Sequence, residues 1–213
     1  MAARHRREEP PLALTTLMII AATSVVSLFA FNDRKLIDAL ILWPPALSRR
    51  KQYYRLITYG LVHADFSHLL FNMFTLYFFG AAMERFYTHY LGPLGFVLFY
   101  AGGLLVSIIP AWLAHRHDSN YASLGASGAV SAVLFAFILL QPWALILVFV
   151  IPVPAIIFAI AYVAWSLYMD RRGTDRVNHS AHLWGAAYGV VFTLVMEPRV
   201  LAVFLERLVH PHF

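Results

Sequence analysis

Long apolar stretches separated by short polar ones recur along the whole chain. Residues 12–31 carry no charge over twenty positions, long enough to cross a bilayer at the ~1.5 Å rise of a helical residue. Further apolar runs follow at 69–83, 91–113, 127–141, 145–169 and 180–196. The pattern predicts an all-α, polytopic bundle of six transmembrane helices, with both termini on one side. Asp65 is placed to cap the second helix, and Glu84-Arg85 closes it.

Two runs break the regularity. The fourth, opening at Ser127 and closing at Gln141-Pro142, is too short: about fifteen residues cover little more than ~20 Å of a hydrocarbon core of roughly 30 Å. Its helix therefore starts below one surface, and residues 121–126 descend into a water-accessible pocket with Ser127 at its floor. The fifth contains Pro152 and Pro154, which remove backbone donors and predict a loosely packed, mobile helix.

Residues 32–62 form the longest connection, where Arg34, Lys35, Arg49, Arg50 and Lys51 alternate with Trp43, Tyr53, Tyr54 and Tyr59. Aromatics beside cations suit the headgroup zone, so this first loop is expected to lie in the interface; a solvated loop is the alternative. The resulting division is an N-terminal tail at 1–11, a membrane domain at 12–197 and an amphipathic C-terminal tail at 198–213 flanked by Arg199 and Arg207. The first apolar run is read as a retained helix, since it has full-span length and no small-residue cleavage site closes it.

Composition agrees. Hydrophobic residues make up 61% of the chain and charged ones 13%, against roughly 25% charged in soluble domains. The net charge of +5 comes from residues flanking the spans, so lipid headgroups are the expected partner and nucleic acid is not. With no cysteine, disulfides, thiolate metal sites and a cysteine nucleophile are excluded. His115 and His117 read as an exposed loop; no H-E-x-x-H is present and neither metal nor cofactor is expected.

Chemistry concentrates at Gly125-Ala126-Ser127-Gly128 and at Ala181-His182-Leu183-Trp184-Gly185. A serine at a helix N-terminus sits among free N–H groups that favour a developing negative charge, although glycine clusters at helix ends also serve close packing. Ala181, Gly185 and Gly189 recur every fourth residue and make a smooth stripe. If it packs on Gly128, Ala129, Ala132 and Ala136, the His182 imidazole reaches the Ser127 hydroxyl, the minimum arrangement for covalent acyl transfer. His68 and Asn72 share one face of the second helix, as oxyanion donors or as a bond that only holds the bundle. No span contains an aspartate; Asp170 and Asp175 lie in the loop before His182, so a dyad is expected.

Taken in order, His63-x4-His68-x3-Asn72, Gly125-Ala126-Ser127-Gly128 and Ala181-His182-x2-Gly185-x3-Gly189 resemble the rhomboid intramembrane serine proteases, bacterial six-helix type, over roughly residues 54–196. The resemblance implies Ser127 as nucleophile and His182 as general base. It implies an oxyanion hole from the Ser127 backbone, His68 and Asn72, a structural His63, and supporting roles for Arg55 and Glu84. An interfacial first loop and a substrate gate at helix five are implied too, as is a bacterial inner-membrane location with cytoplasmic termini and a site opening outward. Arg4, Arg6 and Arg7 fit that orientation, while most of the sixteen Lys and Arg fall on the other side of it, against the positive-inside tendency.

The sequence departs from that family at three places. Tyr54-Arg55 stands for Trp-Arg, and Arg85 follows Glu84 directly instead of two residues on. Ser131 stands where relatives carry a tyrosine stacked on the histidine; with the ring loosely held, Ser131→Tyr is expected to leave activity unchanged or raise it. The reading is a protease cleaving in or near transmembrane segments of other membrane proteins. A non-catalytic rhomboid-like client-binding protein and a small transporter or channel are the alternatives.

Overall fold

The computed structural model describes residues 13–148, 150–173 and 177–211. The tail at 1–11, with Arg4, Arg6 and Arg7, and Asp175 lie outside them. The elements run α1 (Leu14–Ala30), α2 (Arg34–Leu40), α3 (Pro44–Arg50), α4 (Arg55–Thr58), a 3-10 turn (Tyr59–Leu61), α5 (Phe66–Leu91), α6 (Gly95–Ala114), α7 (Ser127–Leu140), a hairpin of β1 (Leu145–Val148) and β2 (Ile151–Pro154), α8 (Ala155–Arg172), α9 (His179–Met196) and α10 (Arg199–Val209). By length and composition α5 and α6 can cross a membrane; α1 and α7 are shorter apolar helices, and α9 passes together with α10 across a 114° bend.

α1 turns the pattern of a water-soluble helix inside out. Thr16, Thr23 and Ser27 are buried while Leu14, Met18, Val25 and Phe29 are exposed. That inversion suits lipid, where apolar side chains gain nothing by clustering and small polar ones pack helices together. At its start, Glu84 of α5 accepts the Thr15 and Thr16 N–H groups at 2.9 and 2.7 Å and the Thr16 hydroxyl at 2.7 Å. The carboxylate satisfies donors that the first turn leaves without partners.

α7 is the centre of the bundle, with Gly128 to Ala136, Ile138 and Leu139 all buried. Its fourteen residues span about 21 Å, as their sequence predicts. The stripe of α9 lies against it as expected: a Cβ at Gly185 would overlap the Gly128 carbonyl, and one at Gly189 the Ala132 carbonyl. On the other flank, Gly103 of α6 meets Ala129 and Ala132.

Two expectations are corrected. The run 145–169 is not one helix: β1 and β2 pair antiparallel, with Leu147 opposite Pro152 and Leu145 opposite Pro154, and α8 begins at Ala155. Both prolines sit where a missing donor is tolerated, in a strand with only one neighbour, and Pro154 is the N-cap of α8. The fold is thus not purely helical. Second, α5 does not close at Glu84-Arg85 but continues to Leu91, ending at Gly92 with φ 77°. The first loop carries α2, α3 and α4, tied together by Arg55, which donates to the carbonyls of Asp38 and Ile41 at 2.8 and 2.7 Å and to Gln52 at 2.7 Å.

Candidate active site

Residues 121–126 reach the start of α7 through bonds to the first loop. Leu42 and Ser123 exchange backbone bonds at 3.0 Å, and the Gly125 N–H donates to the Tyr59 carbonyl at 2.9 Å. Gly125 has φ 108°, a conformation that favours glycine. The His68 ring lies against it, so close that a Cβ there would stand 2.6 Å from Cε1 and 3.0 Å from Nε2.

The next residue, Ala126, donates its N–H to His63 Nε2 at 3.3 Å. That nitrogen is therefore unprotonated, and the ring hydrogen on Nδ1 faces Ser27 Oγ at 2.9 Å. The Ser27 hydroxyl donates onward to the Leu61 carbonyl at 2.8 Å. His63 is fully buried, and burial, with His68 beside it, pushes its pKa down to about 3.

This predicts an acid sensitivity with a definite sign. Below about pH 6.5 the unfolded chain takes up a proton at His63 that the folded chain refuses until about pH 3. Stability should fall by about 1.4 kcal/mol per pH unit across that window. Thermal unfolding of the purified protein at pH 7 and pH 5 should show it, with a smaller fall in His63→Gln; identical acid sensitivity in the two proteins would contradict the assignment.

Ser127 opens α7, and His182 sits one turn into α9, with Nε2 at 2.7 Å from Ser127 Oγ. Both side chains are half-buried. α9 is aligned by Asn178, which caps it by accepting the Ala181 N–H at 2.9 Å and donates to Tyr121 and Ser123 in the descending segment at 2.9 and 3.3 Å. Sequence reasoning missed Asn178, although an asparagine just before an apolar run is a recognisable helix start.

His68 meets this segment at Gly125, and Asn72 is buried one turn further along α5. Asn72 Nδ2 donates to the His68 carbonyl at 2.8 Å, a bond that uses one of the two N–H groups of the amide. Gly128 is needed for close approach, because a Cβ there would overlap the Ser107 side chain. Among the described residues no cluster of His, Asp and Glu has the makings of a metal site.

Ser131, one turn below Ser127, is bonded to the hydroxyl of Tyr162 on α8 at 2.6 Å. The Tyr162 ring stacks on His182, centroids 6.0 Å apart and planes at 26°. The ring expected to be loosely held is flanked by a tyrosine from another helix, so Ser131→Tyr would drive one tyrosine into another. Composition offers no signal for such a pairing of two helices thirty residues apart.

A hydroxyl bonded to an imidazole, at the N-terminus of a buried helix, has the parts for acyl transfer. Comparisons with known proteins fit this geometry. A family model described as "Rhomboid domain" matches residues 50–199. RHOMBOID-like protein 12, mitochondrial, of Arabidopsis thaliana is 34% identical over 152 residues, 64% of this chain and 44% of its own. Rhomboid protein 1, mitochondrial, of Saccharomyces cerevisiae is 35% identical over 135 residues, 61% and 38%. A Bacillus subtilis protein whose name carries rhomboid protease as a proposal is 29% identical over 144 residues, 68% and 67%. This chain thus spans less than half the length of the two mitochondrial relatives. The matched region takes in Ser127, His63, His68 and His182, and its helices are those of an integral membrane bundle: the chain belongs to the rhomboid family.

Proposed function

We propose that this protein is an intramembrane serine endopeptidase that cleaves peptide bonds in or beside the transmembrane segments of other membrane proteins. The observation that carries the reading is the 2.7 Å approach of His182 Nε2 to Ser127 Oγ at the N-terminus of the buried helix α7. His182 takes the Ser127 proton as Oγ attacks the scissile carbonyl, then passes it to the leaving amine; water, deprotonated by the same imidazole, releases the acyl group. The Ser127 N–H, His68 and Asn72 receive the oxyanion.

On this reading α1, α5, α6, α7, α8 and α9 are the six spans of a membrane domain covering 12–197. The termini share one side, taken as cytoplasmic, and the site opens to the other. The bacterial inner membrane expected from the sequence stands beside relatives named as mitochondrial; a multi-pass location is common to both. A helical substrate hides its amides, so segments with small or helix-breaking residues are the preferred substrates.

A fluorophosphonate separates this reading from a client-binding rhomboid relative. The purified protein in lipid should be labelled covalently, with the label on Ser127 and none on Ser127→Ala. A folded wild-type protein that stays unlabelled while retaining membrane-protein clients would replace the protease reading with the binding one.

A further inference from the structure

The aromatic ring beside the His182 imidazole comes from α8, and it is held by a residue of α7. Tyr162 lies in the middle of α8, where only Ala155, Ala159 and Ser166 are buried. Its hydroxyl bonds Ser131 Oγ at 2.6 Å; Ser131 is 4% exposed and sits on the Ser127 face of α7, four residues on. Its ring is backed by Phe135 at 5.6 Å and Phe158 at 5.8 Å, and faces His182. Ser127, Ser131, Tyr162 and His182 thus close a ring of contacts running through three helices.

We propose that Tyr162 is a positioning residue for the catalytic base, latched in place by Ser131, so that the dyad is competent only while α8 is docked on α7. The stack limits rotation of the imidazole about its side-chain bonds. The latch fixes where the stacking ring stands. α8 packs on α7 and α9 through Ile156, Phe158, Tyr162 and Val163, and Tyr162 connects that packing to both Ser131 and the imidazole. α8 moved away from α7 removes both the latch and the wall, and the imidazole then samples orientations in which Nε2 no longer meets Ser127 Oγ. The inference rests on the protease reading above.

The test measures cleavage of a transmembrane substrate by the whole protein in lipid vesicles, with rates expressed per site titrated by fluorophosphonate so that misfolded protein does not count. Tyr162→Leu, which removes ring and hydroxyl, should lower kcat by about 10- to 100-fold with little change in KM, and slow Ser127 labelling in parallel, as misorientation of a reacting group does. Tyr162→Phe keeps the ring and should lose less than Tyr162→Leu. Ser131→Ala and Tyr162→Phe should each cost about threefold to tenfold, and the double variant no more than either, because both break the same bond. Wild-type rates per site in Tyr162→Leu, or additive losses in the double variant, would overturn the proposal while leaving the protease reading intact. Should Tyr162→Leu yield no titratable sites, the two latch variants and their double decide. A folded wild-type protein that neither labels nor cleaves removes both readings together.

Discussion

Ser127→Ala and His182→Ala should each abolish cleavage of a transmembrane substrate, with losses of about four orders of magnitude or more. The double variant should be no worse than either single one. The reason lies in the 2.7 Å bond between the two side chains: without the imidazole, the hydroxyl meets the scissile carbonyl as a neutral, weak nucleophile, and without the hydroxyl the imidazole has nothing to activate. Groups that act as one unit fail as one unit. Residual turnover would come from polarisation of the carbonyl by the Ser127 N–H and His68, which both variants keep. The measurement is single-turnover cleavage in vesicles of wild type, each variant and the double. Substrate cut at the wild-type rate by either alanine variant would show that another group carries the reaction.

Gly185→Ala should damage both stability and catalysis, out of proportion to one added methyl group. The Cβ would fall on the Gly128 carbonyl, which belongs to the backbone of the most buried helix and has no rotamer by which to yield. The two helices must then separate or shift along each other, at a cost of about 2–3 kcal/mol. The same displacement acts on the Ser127–His182 bond, which spans that interface one turn away, and misplacement by about 1 Å is enough to lose on the order of 100-fold in rate. Ala187→Val adds more volume two residues on, but Ala187 is exposed on the outer face of α9, so its effect should stay within about 0.5 kcal/mol. Thermal unfolding and cleavage rates of the two variants make the comparison; a Gly185→Ala protein that matches wild type in both would mean that the contact does not set the helix separation.

Much of the site is legible in the chain before any coordinates, because its physics is local. The shortness of the apolar run after Ser127 matches the fourteen residues of α7, and the four-residue spacing of Ala181, Gly185 and Gly189 declares a face that admits a neighbouring backbone. Asp65 as the cap of α5 is equally local, and its carboxylate does accept the His68 N–H at 2.8 Å. What escapes is whatever joins distant segments. Apolar periodicity alone does not separate a short strand from a helix, and so the 145–154 stretch reads as part of a span; the alternating Pro152 and Pro154 were the signal against it. Tyr162 meets His182 only once α8 is packed, and no spacing rule relates them. Glu84 likewise answers the orphaned donors of α1, sixty-eight residues away.

The first helix has a consequence of its own. It is gripped at one end by the Glu84 carboxylate and, at the other, Ser27 touches His63, whose far nitrogen holds the Ala126 amide. Both ends of α1 are thus fastened to the rest of the bundle, and the second fastening ends on the amide of the residue that precedes Ser127. The lipid-facing helix and the segment that delivers Ser127 therefore share one hydrogen-bonded seam, and loss of the Ser27 hydroxyl would loosen both.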